Sequence, residues 1–440
     1  MERREQYVLK TVEERGIRFI RLWFTDILGS LKSFAITPAE LETAFGEGLH
    51  FDGSAIDGFS RVQEADMLAM PDANTFQILP WQGQDGGVAR MFCDIVMPDG
   101  TPFEGDPRYV LRRNLERAAD LGFSFYVGPE VEYFYFRDSS PEPEVLDRGG
   151  YFDLTPLDVA QEYRRHTITV LEQLGIPVEF SHHEVSPSQH ELDLRYTDAL
   201  TMADNLMTTR LAVKEVAMEH DIYATFMPKP LQDHDGSGLH LHLSLFRGDD
   251  NAFAGEGSEL SADGRAFMAG LLAHAGDITA ITNQWVNSYK RLVSGFEAPI
   301  NVTWGRNNQS ALVRVPTPKQ GKMSSVRLEY RSPDPACNPY LALAAILAAG
   351  LDGIERGLEP PLETPANAHN LTRAELQAAG ITRLPANLDQ AIDRMEGSKL
   401  VSTALGEHVF EWFLRNKRAE WDRYQHHVSR FELEQYLPVL

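Results

Sequence analysis

Leu239-His240-Leu241-His242-Leu243-Ser244-Leu245 alternates without a break, with leucines at one parity and two histidines and a serine at the other. Successive side chains of a strand point to opposite faces, so this stretch predicts a strand with a leucine face and a polar face. Three other segments follow the same rule. Gly128-Pro129-Glu130-Val131-Glu132-Tyr133 puts Glu130 and Glu132 on one face. Glu191-Leu192-Asp193-Leu194-Arg195-Tyr196 alternates charged with apolar residues. Val326-Arg327-Leu328-Glu329-Tyr330-Arg331 gathers Arg327, Glu329 and Arg331. An antiparallel sheet with one wet face explains any one of these. A merely solvated face, however, tends to carry Lys, Thr and Ser. These faces carry Glu, His and Arg, which ligate metals and clamp phosphates. A curved sheet with such an inner face encloses a charged cavity.

Glu130, Glu132, Glu184, Glu191 and Glu329 in one cleft repel each other strongly, and divalent cations resolve that repulsion. Carboxylate-rich sites with an occasional imidazole, such as His240, suit Mg²⁺ or Mn²⁺. Arg291, Arg314, Arg327 and Arg331 are then free to hold phosphate and carboxylate oxygens, and metals with arginines are the equipment of phosphoryl transfer. The phosphate-binding loop Gly-x-x-x-x-Gly-Lys-Ser/Thr is missing, and Gly236-Ser237-Gly238 is too short for a dinucleotide fingerprint. Side chains and metals must therefore hold the nucleotide.

The rest of the chain sets these strands in an α+β fold. Residues 17–36 read as a hairpin turning at Asp26 and Gly29, and residues 91–97 as a strand closed by Pro98-Asp99-Gly100. Residues 1–15 predict an amphipathic helix with Tyr7, Val8 and Val12 on its apolar side. We expect a small domain over 1–103 and a large catalytic domain over 104–440, opened by a helix at 106–121 with Pro107 in its first turn. Residues 340–351 predict a buried helix and 408–424 another, while 137–150, 248–258 and 359–366 read as loops. The 440 residues carry a net charge of −23, which disfavours nucleic acid and anionic membrane as partners. The two cysteines, Cys93 and Cys337, make no framework, and a cytoplasmic location is expected.

These segments, with Phe51-Asp52-Gly53-Ser54, Ser181-His182-His183-Glu184-Val185, Asn287-Ser288-Tyr289-Lys290-Arg291-Leu292-Val293 and Asn338-Pro339-Tyr340-Leu341, occur in one order along the chain. The ordered set closely resembles class I glutamine synthetase, from about Arg4 almost to the C-terminus. The resemblance implies a small N-terminal β-grasp-like domain and a C-terminal domain whose curved antiparallel sheet is flanked by helices. It implies an ATP-dependent ligase that phosphorylates the γ-carboxylate of glutamate and joins it to an amine, with two or more Mg²⁺ or Mn²⁺ per subunit. Glu132, Glu184 and Glu191 match the ligands of the metal nearest glutamate; Glu130, His240 and Glu329 match those of the metal nearest the ATP phosphates. Arg291, Arg331 and the Asp235-Gly236 loop match glutamate-binding positions. Glu179, Tyr196, His242, Ser244 and Arg327 match nucleotide positions, and Arg314 a phosphate-stabilising arginine. Glu297 matches a flap glutamate that closes over the intermediate. Asp52, supplied by a neighbouring subunit of a dodecamer, matches the aspartate that deprotonates the incoming amine, beside Tyr151 and Glu184. His182 and His183 read as structural.

Departures from the family's pattern concern the acceptor. Ala55 replaces a serine of the ammonium pocket, Gln309 stands where an active-site arginine is usual, Asp235 replaces an asparagine and Ser294 a proline. Ammonia is the expected acceptor. Ala55 raises the alternative of a polyamine or small monoamine, with ammonia then used poorly, and a non-catalytic scaffold is the remaining alternative. The tyrosine adenylylated in one branch of the family aligns with His369, so that control is not expected. Arg61 matches an arginine through which glutamine feeds back in another branch.

Overall fold

In the computed structural model, residues 3–54, 56, 58, 66–81, 87–256, 259–295, 297–319, 322–364 and 371–440 are described. Ala55, Arg61 and His369 lie outside them.

The hairpin predicted around Asp26 joins Phe19–Thr25 to Leu31–Ile36, and the Asp26 carboxylate accepts from the Leu28 and Ser30 amides to set the turn. These strands enter a six-stranded sheet in the order Leu31–Ile36, Phe19–Thr25, Val88–Val96, Asp66–Pro71, Leu49–Asp52; Gln77–Ile78 also pairs with Val88–Val96. Phe19–Thr25 runs parallel to Val88–Val96 and the other pairs are antiparallel. Helix Arg3–Glu14 covers the sheet with Val8 and Val12. Tyr7, expected on that apolar side, is instead 57% exposed. The guanidinium of Arg4 lies over its ring, and the buried stripe narrows to the i, i+4 pair of valines.

Helix Pro107–Asp120 starts where its sequence predicts, with Asp106 accepting from the Arg108 amide at the N-cap. The second sheet has ten strands. Its main path runs Trp304–Gly305, Val313–Arg314, Leu328–Tyr330, Leu239–Arg247, Ser124–Phe136, Gln189–Leu194, Val178–His183. All neighbours on that path are antiparallel except the first pair. Val127, Val131, Leu192, Leu239, Leu241, Leu243 and Leu328 are buried on its apolar side, within the larger of two hydrophobic cores. Burying each such side chain contributes about 1.5–3 kcal/mol.

Behind the sheet lie helices Ala199–Glu219, Ala262–Thr282 and Pro339–Arg356. The last two touch backbone to backbone. A Cβ on Gly270 would stand 2.2 Å from the Ala349 carbonyl oxygen, and one on Gly353 would stand 2.0 Å from that of Ala266. Between the two sheets, Arg108 bonds Asp72, Asp94 and Asp204, and Asn338 donates to the carbonyls of Asp26 and Ile27.

Candidate active site

Strand register turns the four alternations into rows. His240 pairs with Glu130, which pairs with Asp193 on the next strand; Glu132 pairs with Glu191, which pairs with His182; Glu329 lies between His242 and Arg314. Directly opposed residues in such a sheet have Cβ atoms about 4.5–5.5 Å apart. The rows form one wall of an acidic cavity of about 580 Å³, lined by Glu130, Glu132, Glu184, Glu191, Asp193, His240 and Glu329. Arg314, Arg331, Tyr151, Asp235, Gly236, Glu297 and Gln309 also line it. A second cavity, of about 210 Å³, adjoins it through Glu130 and Asp193 and holds Glu179, Tyr196, His242, Ser244 and Arg327. Gly128 stands opposite His242 there and keeps that row free of a side chain. A larger cavity, about 820 Å³, lies elsewhere among Leu28, Phe226 and Trp285 and contains none of the predicted site residues. Its lining is mainly apolar, so the chemistry belongs to the acidic pair of cavities.

The carboxylates differ sharply in their electrostatics. Burial would raise Glu130, but hydrogen bonds from His240 (3.0 Å) and His242 (2.6 Å) prevail and hold it well below the usual range. Glu329 is buried, yet the charge of Arg331 keeps it low; Arg331 bonds one of its oxygens and Arg314 the other, at 2.6 Å. Burial pushes Glu132 up to about 7, with Glu184 adding repulsion, and Glu184 itself to about 7, with Glu297 and Glu130 adding theirs. Glu191 is driven well above its ordinary value by burial and by Glu132. Asp193 rises to about 7 by burial and the charge of Glu130.

This donor set fits divalent cations. One ligand atom each from Glu130, Glu191 and His240 lies within 4.8 Å of the others, as does one each from His182, Glu184 and Glu191. His240 gives its Nδ1 hydrogen to Glu130, which leaves the buried Nε2 lone pair unpartnered, 3.7 Å from Glu132. Oxygen-rich sets with one imidazole suit hard ions.

The remaining predicted residues fall into three groups. Asp235 accepts the Glu297 amide at 2.8 Å and so fixes the backbone of that exposed loop. Gly236 is required where it stands, because a Cβ would lie 2.2 Å from the Pro228 oxygen. Arg291 is 2% exposed and does not line the cavity; its Nη atoms bond the carbonyls of Arg331, Ser332 and Pro333. Asp52 is exposed on the edge strand of the other sheet and lines neither cavity. The Ser54 amide (2.8 Å) and hydroxyl (2.9 Å) lower its pKa. The strand alternation also contained signals that were not given a site role. Gln189 and Asp193 share the parity of Glu191, and Gln189 Nε2 donates to Glu132 (2.9 Å) and to the Gly236 carbonyl (3.2 Å).

A β-sheet cavity with cation-type clusters and arginines, beside an annex lined by Tyr196, His242 and Arg327, is the equipment of a metal-dependent phosphoryl-transfer enzyme. The chain belongs to the glutamine synthetase family: residues 16–98 match its β-grasp domain and residues 104–436 its catalytic domain. It is 56% identical over 447 residues to the glutamine synthetase of Mycolicibacterium smegmatis, with both chains covered in full. It is 48% identical over 435 residues to that of Thermotoga maritima, covering 98% of each. Among solved structures, the GmaS/ADP complex superposes with a TM-score of 0.88 at 33% identity, covering 98% of this chain and 99% of that one. Metal and ATP binding are general to this family, and the α+β fold with its N-terminal β-grasp sheet is as the sequence predicts. Among the described residues no helix is long and apolar enough to cross a membrane.

Proposed function

We propose that this chain makes glutamine from glutamate and ammonia with ATP, through γ-glutamyl phosphate. The observation that carries the reading is the register that sets Glu130, His240, Glu329 and Arg314 beside Glu132 and Glu191. The relatives quoted above, named glutamine synthetase and covered over 98–100% of their length, favour ammonia over the polyamine or monoamine that Ala55 suggested.

Glu132, Glu184 and Glu191 would hold one Mg²⁺ or Mn²⁺ near glutamate, and Glu130, His240 and Glu329 a second near the phosphates. Such cations supply neutralisation of phosphate oxygens. Glu179, Tyr196, His242, Ser244 and Arg327 bind the nucleotide. Arg327 donates from Nε to His242 Nδ1 at 3.0 Å, which holds the His242 Nε2 hydrogen toward Glu130. Arg331 and the Gly236 loop receive glutamate. Arg291 supports them from beneath by fixing the 331–333 carbonyls. Arg314 steadies the transferring phosphoryl group. The γ-carboxylate attacks the terminal phosphorus of ATP and ADP leaves; ammonium gives a proton to Asp52 of a neighbouring subunit, and the ammonia so formed attacks the acyl carbon and displaces phosphate. The Glu297 loop, latched by Asp235, excludes water from the acyl phosphate. We expect a dodecamer with sites between subunits, and control by glutamine through Arg61.

Phosphate release measured with ATP, glutamate and Mg²⁺, with and without ammonium, tests the reading. Ammonium-dependent release with stoichiometric glutamine is expected. Release that depends on putrescine or methylamine but not on ammonium would overturn the assignment of acceptor.

A further inference from the structure

Tyr151 and Glu184 are 33 positions apart in sequence, yet both face the acidic cavity. Each hangs from the same buried pair. His183 is 1% exposed and uses both ring nitrogens as donors, Nδ1 to the Glu184 carbonyl (2.7 Å) and Nε2 to Asp147 Oδ1 (3.0 Å). The His183 carbonyl accepts the amide of Phe152, the residue after Tyr151, at 3.1 Å. Asp147 Oδ1 also accepts the amides of Ser188 (2.8 Å) and Gly149 (3.3 Å), and Ser188 Oγ in turn accepts those of Leu146 (2.6 Å) and Asp147 (3.3 Å). The segment 146–152 and the turn 183–188 are thereby one hydrogen-bonded unit. Gly149 closes it, since a Cβ there would stand 2.7 Å from His183 Nε2. Asp147, His183 and His190 together look like a metal triad, but Arg164 donates to His190 Nδ1 at 2.9 Å. That leaves the hydrogen of neutral His190 on Nε2, which excludes this nitrogen as a ligand.

We propose that Asp147 and His183 are positioning residues that fix the distance between Tyr151 and Glu184, and so set the capture of the acceptor amine. This rests on the acceptor role given to those two residues above. Glu184 needs the support of its backbone, because its carboxylate is held by the amide of the very next residue, Val185, at 2.8 Å, with His182 Nε2 3.6 Å from its other oxygen. Ammonium is small, so its capture depends on several polar groups meeting at one point.

Two variants test this at saturating Mn²⁺. Asp147→Asn keeps an acceptor oxygen for the amides but removes the charge from the imidazole. Gly149→Ala leaves every charge and pushes the ring. In both, the KM for ammonium should rise by roughly tenfold, the lower end of what the loss of an outer-shell partner costs, while the KM values for ATP and glutamate stay within about twofold. A merely structural role would instead move all three together with a fall in melting temperature. That pattern, or an ammonium KM within about twofold of wild type in either folded variant, would overturn the proposal. Should Asp147→Asn fail to fold, Gly149→Ala decides. If the unaltered protein shows no ammonium-dependent phosphate release, the functional reading itself has failed.

Discussion

Glu132 stands in the middle of the site's crowded carboxylates, with burial and Glu184 raising its pKa to about 7. It is 7% exposed, opposes Glu191 across the ladder, approaches His240 Nε2 at 3.7 Å and accepts from the Gly238 amide at 2.9 Å. A buried carboxylate among carboxylates is tolerable when a cation is shared between them. Glu132→Ala should therefore weaken binding of Mn²⁺ by about tenfold or more, as loss of one ligand leaves the others crowded. The measurement is a thermal-shift titration of chelator-stripped protein, in which a ligand that binds only the folded chain raises the melting temperature with concentration. An unchanged half-saturation point would remove Glu132 from the metal site. At this scale the sequence was legible in kind: parity put Glu130 with Glu132, His240 with His242, and Glu329 with Arg327 and Arg331, each set on one face of its own strand. It read His183 as structural but was silent on its pairing with Asp147, because that contact joins residues 36 positions apart and involves no regular element of 137–150. It also said nothing of which way Arg291 points, which is decided by the three carbonyls that collect its donors.

Elements are read from sequence best where one period repeats. The leucine and carboxylate alternation defined the strands, Asp106-Pro107 marked a helix start that the structure keeps, and the buried helix predicted over 340–351 lies within Pro339–Arg356. The order of the strands was not legible, since neighbours such as Leu328–Tyr330 and Leu239–Arg247 are chosen by packing across the sheet. Helix pairing was equally hidden. Ala262–Thr282 and Pro339–Arg356 are joined by their glycine contact and also by a half-buried charge cluster. His274 donates to Asp277 (3.3 Å) and to Asp352 (2.8 Å), and Asp352 also accepts from Arg356 (2.8 Å). The hydrogen bond to Asp277 leads in raising the His274 pKa, against burial, which lowers it, and the bond to Asp352 adds to the rise. Burial alone would raise Asp352, but the bonds from His274 and Arg356 hold it low. A raised histidine stabilises the fold fully below its ordinary value of 6.5, and that contribution is lost as pH rises through the raised value. A lowered Asp352 stabilises above its ordinary 3.8 and loses its contribution as pH falls. Replacing His274 by Ala should thus cost about 0.5–1.5 kcal/mol near pH 5.5 and progressively less above pH 7. Urea unfolding of both proteins across that range checks it, and a pH-independent difference would refute the ionic account.

The whole molecule carries surfaces that a single chain does not explain. Tyr151 and Phe180, which line the acidic cavity, and Phe152, Leu154, Leu157 and Val159 are each 48–70% exposed. At the other end of the chain, Val428, Phe431, Tyr436, Leu437, Val439 and Leu440 are 49–99% exposed around helix Arg430–Tyr436. Apolar exposure of this extent is what contact with other chains would cover. Asp52 is exposed on an edge strand, is preset as an anion by Ser54, and lines neither cavity of its own chain. A closed ring in which each cavity receives the neighbour's edge strand satisfies all three observations. The decisive experiment mixes two inactive parents, Asp52→Ala and Glu329→Ala, by coexpression. If one site draws Glu329 from one chain and Asp52 from the next, a random equimolar ring holds both native residues at roughly one site in four, and about a quarter of wild-type activity should return. If each chain completed its own site, every site in the mixture would carry one lesion and activity would stay at the level of the parents. Chromatography with light scattering on the same sample supplies the second reading, because activity eluting at the mass of a single 49.4 kDa chain would refute shared sites directly.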